Sequence, residues 1–440
     1  MRIRLSLPMT RVEGSSELVV QRDGENVASV SYRMPTARDF EGILVGQRVE
    51  DLPKIVARIC GICPVAHRVA AAKAVEAVVD VTVPPIAEVL RELALLGEVV
   101  RSHTYSVFFS TLPDLMDLAS PLSRKDIMGI DRTQPKVLPT ALKIYRCAEE
   151  LIDAAAGNTN MAFNIVPGGV VQNITSDQQQ ELVQQLNAAL PGVKWAKNLY
   201  SWLLGEVEGD VAPFTLTSPL FLSCFDTQAN RFYGTNQVEL LTQKSTRLTF
   251  PCDDFPMHLA EQSESDAPTG VIYRSASSTT GHLLTGPHAR LAALRAKGGN
   301  HEQADTGAPN LFETGLLRLD EMEFAITNAI HLLERDWELT EKVCAPWQPR
   351  SGIAGSAVEA PRGTLLYLLN MNVDGKVKDI QIRVPSEINA DSLSLLVGKA
   401  ATMCSKIGRT ADQTVERVKM VIRAFDPCVS CTTHTSVRFR

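Results

Sequence analysis

The 440-residue chain carries 44 Lys and Arg against 50 Asp and Glu, a formal net charge of −6, and 45% of its residues are hydrophobic. This composition is typical of a globular protein with a large buried core and excludes a mainly disordered chain. The basic residues are scattered, which argues against nucleic acid as a partner. Apolar stretches are broken well short of the roughly 20 residues of a membrane span, so we expect no direct membrane insertion.

The first 42 residues alternate between apolar and polar positions. The segments RIRLSL, SELVVQ and ASVSYRM are predicted strands, and Asp23-Gly24 supplies a hairpin turn. The opening lacks the apolar stretch of a secretory signal, and nine cysteines without dense spacing indicate a reducing compartment. We therefore predict a small antiparallel sheet at the start and a cytoplasmic location.

The apolar spacing becomes helical from about residue 43. A core helix is predicted after Pro84-Pro85, where apolar side chains recur every three or four residues from Ile86 to Val100. Further predicted helices cover residues 136–156, 176–204, 316–340 and 391–424. A second hairpin is predicted with Asp374-Gly375 as its turn. The predicted fold class is α+β, mainly α, with a core of long helices and small antiparallel sheets.

Nothing in the chain forces a domain boundary, since no repeat, low-complexity tract or linker is visible. We predict a single domain over residues 1–440. Its predicted parts are an N-terminal β element (1–42), a helical core (43–204), an irregular insert of loops and short strands (205–310), and helices with a hairpin (311–440).

Two pairs of cysteines lie near opposite ends of the chain. Cys60 and Cys63 belong to CGIC, and Cys428 and Cys431 belong to DPCVSC. A single four-sulfur site therefore requires the N- and C-terminal segments to meet at a buried position. Structural zinc is the ordinary interpretation of two such pairs, although zinc ribbons space them roughly 15 to 20 residues apart. A redox dithiol would use one pair only, and thiolates also suit nickel and iron.

The surroundings of the first pair favour ionised sulfur. Pro64 is predicted as the first residue of a helix, which puts Cys63 at the N-cap, where the helix dipole lowers the pKa of a thiol. His67 follows one turn later, and we predict that its imidazole hydrogen-bonds a sulfur. The alternative for His67 is a half-buried helix residue without such a role.

The motifs RICGICPVAH and DPCVSCTTH resemble the signatures at the two ends of the large subunit of nickel–iron hydrogenases. The closest resemblance is to cytosolic soluble types, especially the deazaflavin-reducing alpha subunits. Shorter segments also match the family, namely TRVEG (10–14), DFEG (39–42), RSH (101–103), LPD (112–114), PGG (167–169) and EAPRG (359–363).

The resemblance implies a bimetallic site. All four cysteines would hold nickel, Cys60 and Cys428 as terminal ligands, and Cys63 and Cys431 would also bridge to an iron that carries two cyanides and one carbon monoxide. The resemblance also implies that Glu13 relays protons from a terminal cysteine and that Glu41 and His434 bind magnesium. The canopy over the open metal face would be formed by Arg362, Pro361, Asp114 and Asp426. Without the family, Glu13 and Arg362 would be interpreted as ordinary charged surface or loop residues.

The implied activity is the reversible conversion of H2 to two protons and two electrons. The other cysteines are isolated and form no cluster-binding run, so the electrons require a partner; they are Cys147, Cys224, Cys252, Cys344 and Cys404. The expected partners are a small subunit carrying iron–sulfur clusters, a further electron-transfer subunit, a maturation protease and nickel chaperones. The alternatives are a hydrogen-sensing subunit with the same site, and a non-catalytic subunit with structural zinc.

Overall fold

The computed structural model describes residues 2–24, 26–34, 40–216, 219–241, 247–262, 270–274, 280–297, 310–335 and 342–432. The chain begins with the predicted antiparallel sheet, formed by β1 (Arg2–Pro8), β2 (Glu17–Asp23) and β3 (Asn26–Arg33). In this sheet Val20 of the central strand pairs with Leu5 on one side and Val30 on the other. The predicted strands and the turn after Asp23 are confirmed.

The helical core follows, and its long helices agree with the predicted segments. Its elements are α1 (Phe40–Leu44), α2 (Leu52–Val56), α3 (Pro64–Val79), α4 (Pro85–Thr104), a π-helical segment (Tyr105–Thr111), α5 (Leu112–Ala119), α6 (Ile127–Thr133), α7 (Val137–Ala156), β4 (Ile165–Val166), β5 (Gly169–Val170), α8 (Ser176–Glu206) and α9 (Glu208–Val211). Helix α4 packs against α7, and a Cβ at Gly97 would lie 2.8 Å from Ile152 Cγ1. The glycine therefore allows the two helices to approach closely.

Residues 205–310 contain more regular structure than the sequence indicates. The elements of the described part are β6 (Leu220–Ser223), β7 (Gln237–Leu241), β8 (Arg247–Pro251), a 3-10 turn (Cys252–Asp254), α10 (Phe255–His258), β9 (Leu259–Gln262), β10 (Gly270–Arg274), β11 (Thr280–Leu284) and α11 (Pro287–Lys297). The six strands form one sheet in the order β8-β7-β6-β11-β10-β9, in which β6 and β11 are parallel. These strands have four or five residues, which is too short for a clear alternating pattern.

The C-terminal part carries the second predicted hairpin. Its elements are α12 (Thr314–Leu333), β12 (Gly352–Ala360), β13 (Gly363–Met371), β14 (Val377–Arg383), α13 (Pro385–Ile388), α14 (Ala390–Lys406) and α15 (Ala411–Phe425). The stretch predicted as helical over 391–424 is two helices, because Gly408 has a left-handed φ of 68° and Thr410 caps the next helix with a capping box. The predicted extension of α12 to residue 340 falls partly on residues 336–341, outside the described residues.

The two ends of the chain meet in the main hydrophobic core, where both cysteine pairs are buried. Helix α3 packs against β12 and β13, so the first pair lies beside the C-terminal hairpin. The predicted fold class, mainly helical α+β with chain ends meeting at a buried site, is confirmed. Across the described ranges, no helix combines the length and apolar character needed to cross a membrane.

Candidate metal centre

The four cysteine sulfurs form one buried group. All four lie within 4.8 Å of one another, with 3.2 Å between Cys60 and Cys428 and 3.3 Å between Cys63 and Cys431. A metal–thiolate bond is about 2.3 Å long, so two sulfurs on one ion lie up to roughly 4.6 Å apart, and the 4.8 Å limit of this group is close to that distance. The geometry is therefore that of a four-sulfur metal site assembled from both chain ends.

Two side chains of helix α4 form hydrogen bonds with the backbone around the first cysteine pair. Cys63 is the N-cap of α3, and Glu98 accepts hydrogen bonds from the amides of Val65 and Ala66 at 2.7 and 3.0 Å. Burial raises the pKa of Glu98 to about 8. One turn later, Arg101 donates to the carbonyls of the two residues between the cysteines. The first-turn amides of α3 thus bind a carboxylate rather than a sulfur.

Three elements hold the second cysteine pair. Helix α15 ends at Phe425, and Arg318 of α12 donates to the carbonyls of Ala424 and Phe425 at 3.0 and 3.4 Å. The Cys428 amide donates to Ser386 Oγ at 2.8 Å. The neighbouring amide of residue 429 donates to a backbone carbonyl of the TRVEG segment. The cysteines therefore follow the helix in a fixed turn.

The sulfurs differ in their tendency to ionise. Burial opposes ionisation of Cys60, but hydrogen bonds from the other sulfurs and the charge of Arg362 prevail and lower its pKa. Hydrogen bonds from the second pair would lower the pKa of Cys63, but the neighbouring Cys60 and burial prevail and raise it to about 12. The prediction of a lowered pKa at Cys63 is wrong, because the neighbouring Cys60 and burial outweigh the effect of the helix start.

Glu13 links the buried sulfurs to the protein surface. The Cys428 thiol donates to Glu13 Oε2 at 3.1 Å, and Ser430 donates to the same carboxylate through its amide at 3.0 Å and its hydroxyl at 2.6 Å. The Glu13 side chain is half-buried. A Cβ at Gly14 would lie 2.8 Å from Val429 Cβ, so glycine permits this close approach. The sequence-predicted relay residue thus lies in hydrogen-bond contact with Cys428.

Arg362 covers the same group from the other side. Its guanidinium donates to the carbonyl and carboxylate of Asp426 at 2.9 and 3.0 Å and to Ser102 Oγ at 3.4 Å. Pro361 and Arg362 line a small cavity bordered by Cys63 and both cysteines of the second pair. Burial would lower the pKa of Arg362, but Asp426 and the sulfurs prevail and raise it, so the side chain stays charged.

Asp114 is not among the residues that line that cavity, and its predicted place in the canopy stays a prediction. Its carboxylate binds Arg11 at 2.5 Å and Arg423 at 2.9 and 3.0 Å. Arg423 also donates to the carbonyl of Thr10 at 3.1 Å. Asp114 therefore ties the TRVEG segment to α15, and two guanidinium groups account for the position of its carboxylate.

His67 contacts a sulfur of the second pair rather than Cys63. Its Nε2 lies 3.7 Å from Cys431 Sγ, and its Nδ1 lies 2.8 Å from Tyr367 Oη. Both side chains are buried, and burial lowers the pKa of His67 to about 4. Sequence reasoning placed His67 near sulfur but missed Tyr367. No spacing in the sequence indicated Tyr367, because the packing of β13 against α3 brings it to His67.

Of the two predicted magnesium ligands, one is described. Glu41 of α1 accepts a hydrogen bond from the Ile382 amide at 2.7 Å, and its carboxylate lies 3.8 Å from Arg383 Nη1. Its charge acts on Tyr367, whose pKa is raised by burial and by nearby negative groups. His434 lies outside the described residues.

A family model described as nickel-dependent hydrogenase matches residues 38–127 and 319–434, which include both cysteine pairs. The chain belongs to the nickel-dependent hydrogenase family. Individual relatives match nearly the whole length of this chain. It is 25% identical over 412 residues to a chain of the vhu F420-non-reducing hydrogenase of Methanococcus voltae, covering 91% of this chain and 98% of that protein.

A second relative and a solved structure are also similar to the chain. The chain is 27% identical over 461 residues to a chain of the F420-non-reducing hydrogenase of Methanothermobacter marburgensis, covering 97% of this chain and 94% of that protein. Its fold is similar to that of a solved NAD+-reducing NiFe hydrogenase in the H2-reduced state, with a TM-score of 0.87, 24% identity and 99% of both chains covered. The closer placement beside deazaflavin-reducing enzymes stays a prediction.

The donor set fits the nickel–iron centre of this hydrogenase family. Four buried sulfurs supply soft ligands, which suit nickel and iron. A charged guanidinium from Arg362 faces them, and the Glu13 carboxylate contacts one of them. Purely structural metal sites are closed, with four ligands and no cavity for a reactant. Here a cavity borders three of the sulfurs.

Proposed function

We propose that this chain is the catalytic large subunit of a nickel–iron hydrogenase and converts H2 reversibly to two protons and two electrons. The hydrogen bond between the Cys428 thiol and Glu13 Oε2, 3.1 Å long, carries the proposal. It connects a buried metal-ligand sulfur to a half-buried carboxylate. A structural zinc site needs no such contact, whereas splitting H2 requires a base that removes a proton.

We propose the following cofactors. A nickel–iron centre, with two cyanides and one carbon monoxide on the iron, would supply two-electron redox chemistry and a Lewis acid. The four cysteines would hold it, with Cys63 and Cys431 shared between the metals. Glu41 and His434 would bind a magnesium ion nearby.

The chain's own residues provide the proton route. The proton is held at Cys428 Sγ and passes to Glu13 Oε2, and Ser430 keeps that carboxylate in place through two hydrogen bonds. Because Glu13 is partly exposed, its proton can exchange with solvent. Arg362 and Pro361 border the cavity and hold a fixed positive charge beside the sulfurs.

Replacing Arg362 with lysine is expected to lower H2-dependent viologen reduction about 10- to 100-fold while nickel content stays unchanged. Lysine keeps the charge but cannot reproduce the paired hydrogen bonds of the guanidinium with Asp426. Arg124→Lys is the matched control, because Arg124 forms a similar pair with Asp126 on the surface. Equal loss of activity in both variants would show that Arg362 has no specific role at the metal centre.

Electrons would leave through a partner subunit that carries iron–sulfur clusters. Gly61 is exposed between two buried metal ligands, so the first cysteine turn reaches the surface there. Arg101 joins the Gly61 carbonyl to that of Thr159, at the start of a loop where Phe163 is 56% exposed. We propose this surface as the docking position of the small subunit. A further electron-transfer subunit, a maturation protease and nickel chaperones complete the proposed partners.

The proposed location is the cytoplasm. All nine cysteines are free, and five of them lie outside the group of four sulfurs. This arrangement is typical of proteins from reducing compartments.

The test is H2-dependent reduction of an artificial acceptor by the purified heteromer. We expect rapid reduction under H2 and none under argon. Slow turnover from a nickel- and iron-loaded site would instead indicate a hydrogen sensor. A zinc-loaded complex without turnover would overturn the proposal in favour of a structural subunit.

A further inference from the structure

A buried chain of hydrogen bonds runs from β13 to the metal-ligand sulfurs. Tyr367 Oη lies 2.8 Å from His67 Nδ1, and His67 Nε2 lies 3.7 Å from Cys431 Sγ. The histidine is 1% exposed and the tyrosine 0% exposed, so water does not compete for these atoms. The Tyr367 hydroxyl is therefore coupled to a sulfur that it does not touch.

Only one arrangement of protons satisfies all of these atoms. A neutral imidazole has one N–H and one lone pair, whereas a phenol has one O–H donor. If Tyr367 donates to Nδ1, then Nε2 carries the ring proton and donates to Cys431 Sγ. If Nδ1 instead carries the ring proton and donates to Tyr367 Oη, the phenol proton lacks an acceptor among the described residues. The Nε2 lone pair then faces the lone pairs of the Cys431 sulfur.

Both rings are buried, and burial disfavours a charged imidazolium or phenolate, so the neutral forms of the two side chains are the favoured ones.

The backbone holds the two rings in a fixed relation. Tyr367 pairs with Ser356 on β12 and with Ile382 on β14, so it lies on the central strand of its sheet. Ser356 Oγ donates to the carbonyl of Ala70 on α3, the helix that carries His67, at 2.7 Å. The rings meet edge to face, with centroids 6.1 Å apart and planes at 73°.

We propose that Tyr367 is a positioning residue that fixes the tautomer of His67 and so keeps an N–H donor on the Cys431 sulfur. This inference rests on the proposed function, in which Cys431 is shared between nickel and iron. A hydrogen bond to a thiolate withdraws electron density from it, and such outer contacts tune metal sites. Loss of the donor makes the sulfur, and the iron it binds, richer in electrons.

The decisive variant is Tyr367→Phe, which keeps the ring and removes the hydroxyl. In the purified complex we expect the infrared bands of bound carbon monoxide and cyanide to move to lower wavenumber, with unchanged nickel and iron content. We expect turnover to fall about 10- to 100-fold. Tyr200→Phe is the matched control, since Tyr200 is a buried tyrosine that donates to the Phe312 carbonyl at 3.2 Å, and it should leave the bands in place.

A double-mutant comparison separates action through His67 from a general loss of packing. His67→Leu removes the donor itself, so it should shift the bands in the same direction as Tyr367→Phe. Adding Tyr367→Phe to His67→Leu should then cause no additional shift. A full additional shift would show that the tyrosine acts independently of the histidine and would overturn the proposal.

The tautomer itself can be measured without reference to the metals. Nitrogen-15 NMR of the labelled complex, in a diamagnetic state, should show His67 protonated at Nε2, with its signal assigned by the loss in His67→Leu. Wild-type His67 protonated at Nδ1 would overturn the proposal whatever metal is bound. Absence of carbon monoxide and cyanide bands in the wild type would overturn the proposed function instead, and unmoved bands in Tyr367→Phe would overturn only the effect on the metals.

Discussion

Replacing Cys63 with serine is expected to remove nickel and iron from the purified protein and to lower H2-dependent turnover by more than about 100-fold. The Cys63 sulfur lies 3.3 Å from the Cys431 sulfur and belongs to the buried group of four sulfurs. Changes to residues around metal ligands already cost about 10- to 100-fold, and loss of a ligand costs more. Elemental analysis and viologen reduction under H2 measure the two effects.

Cys147→Ser provides the control for this experiment. Cys147 is also buried, but it lies on α7 and is not part of the four-sulfur group. Metal content and turnover should stay close to those of the wild type in this variant. Full nickel and iron content in Cys63→Ser would contradict the assignment of Cys63 as a ligand.

Replacing Glu13 with glutamine is expected to lower turnover about 10²- to 10⁴-fold, the usual contribution of a positioned acid or base. The glutamine oxygen can still accept the hydrogen bond from the Ser430 amide, and its NH2 group can donate to the Ser430 hydroxyl, so the TRVEG segment should keep its place. Glutamine cannot take a proton from Cys428. Nickel and iron content should therefore remain unchanged while H2 oxidation and proton exchange both fall.

Glu17→Gln on β2 is the control for the loss of a carboxylate. Glu17 accepts a hydrogen bond from Ser6 on the neighbouring strand β1 and makes no contact with the four-sulfur group, so it should be replaceable without loss of turnover. Wild-type proton exchange in Glu13→Gln would show that protons leave by another route. Loss of nickel in that variant would instead assign Glu13 a structural role.

Local patterns predicted most of the helices and both hairpins. Helix α7 covers Val137–Ala156 against a predicted 136–156, and the turn at Asp374-Gly375 lies between β13 and β14. These elements have long apolar periods or a strong turn signal within a few residues. The six-stranded sheet between Leu220 and Leu284 was not predicted, because its strands are short and their pairing is set by distant segments.

For the candidate metal site, too, the sequence predicted the residues that stand in local motifs but not those brought in by distant elements. The cysteine pairs and His67 stand in short motifs, but their partners Glu98, Ser386 and Tyr367 are brought in by α4, α13 and β13. No spacing in the sequence relates these residues to the cysteines. The pKa of Cys63 was predicted wrongly because the helix start is a local signal, whereas the neighbouring Cys60 and burial, which depend on the folded structure, raise that pKa to about 12.

The metal content of the intact purified complex tests the central claim most directly. If the chain ends enclose a nickel–iron centre, elemental analysis will find nickel and active-site iron in equal amounts per large subunit, with the additional iron of the partner's clusters counted separately. Zinc alone in the four-cysteine site, with no nickel, would contradict the account.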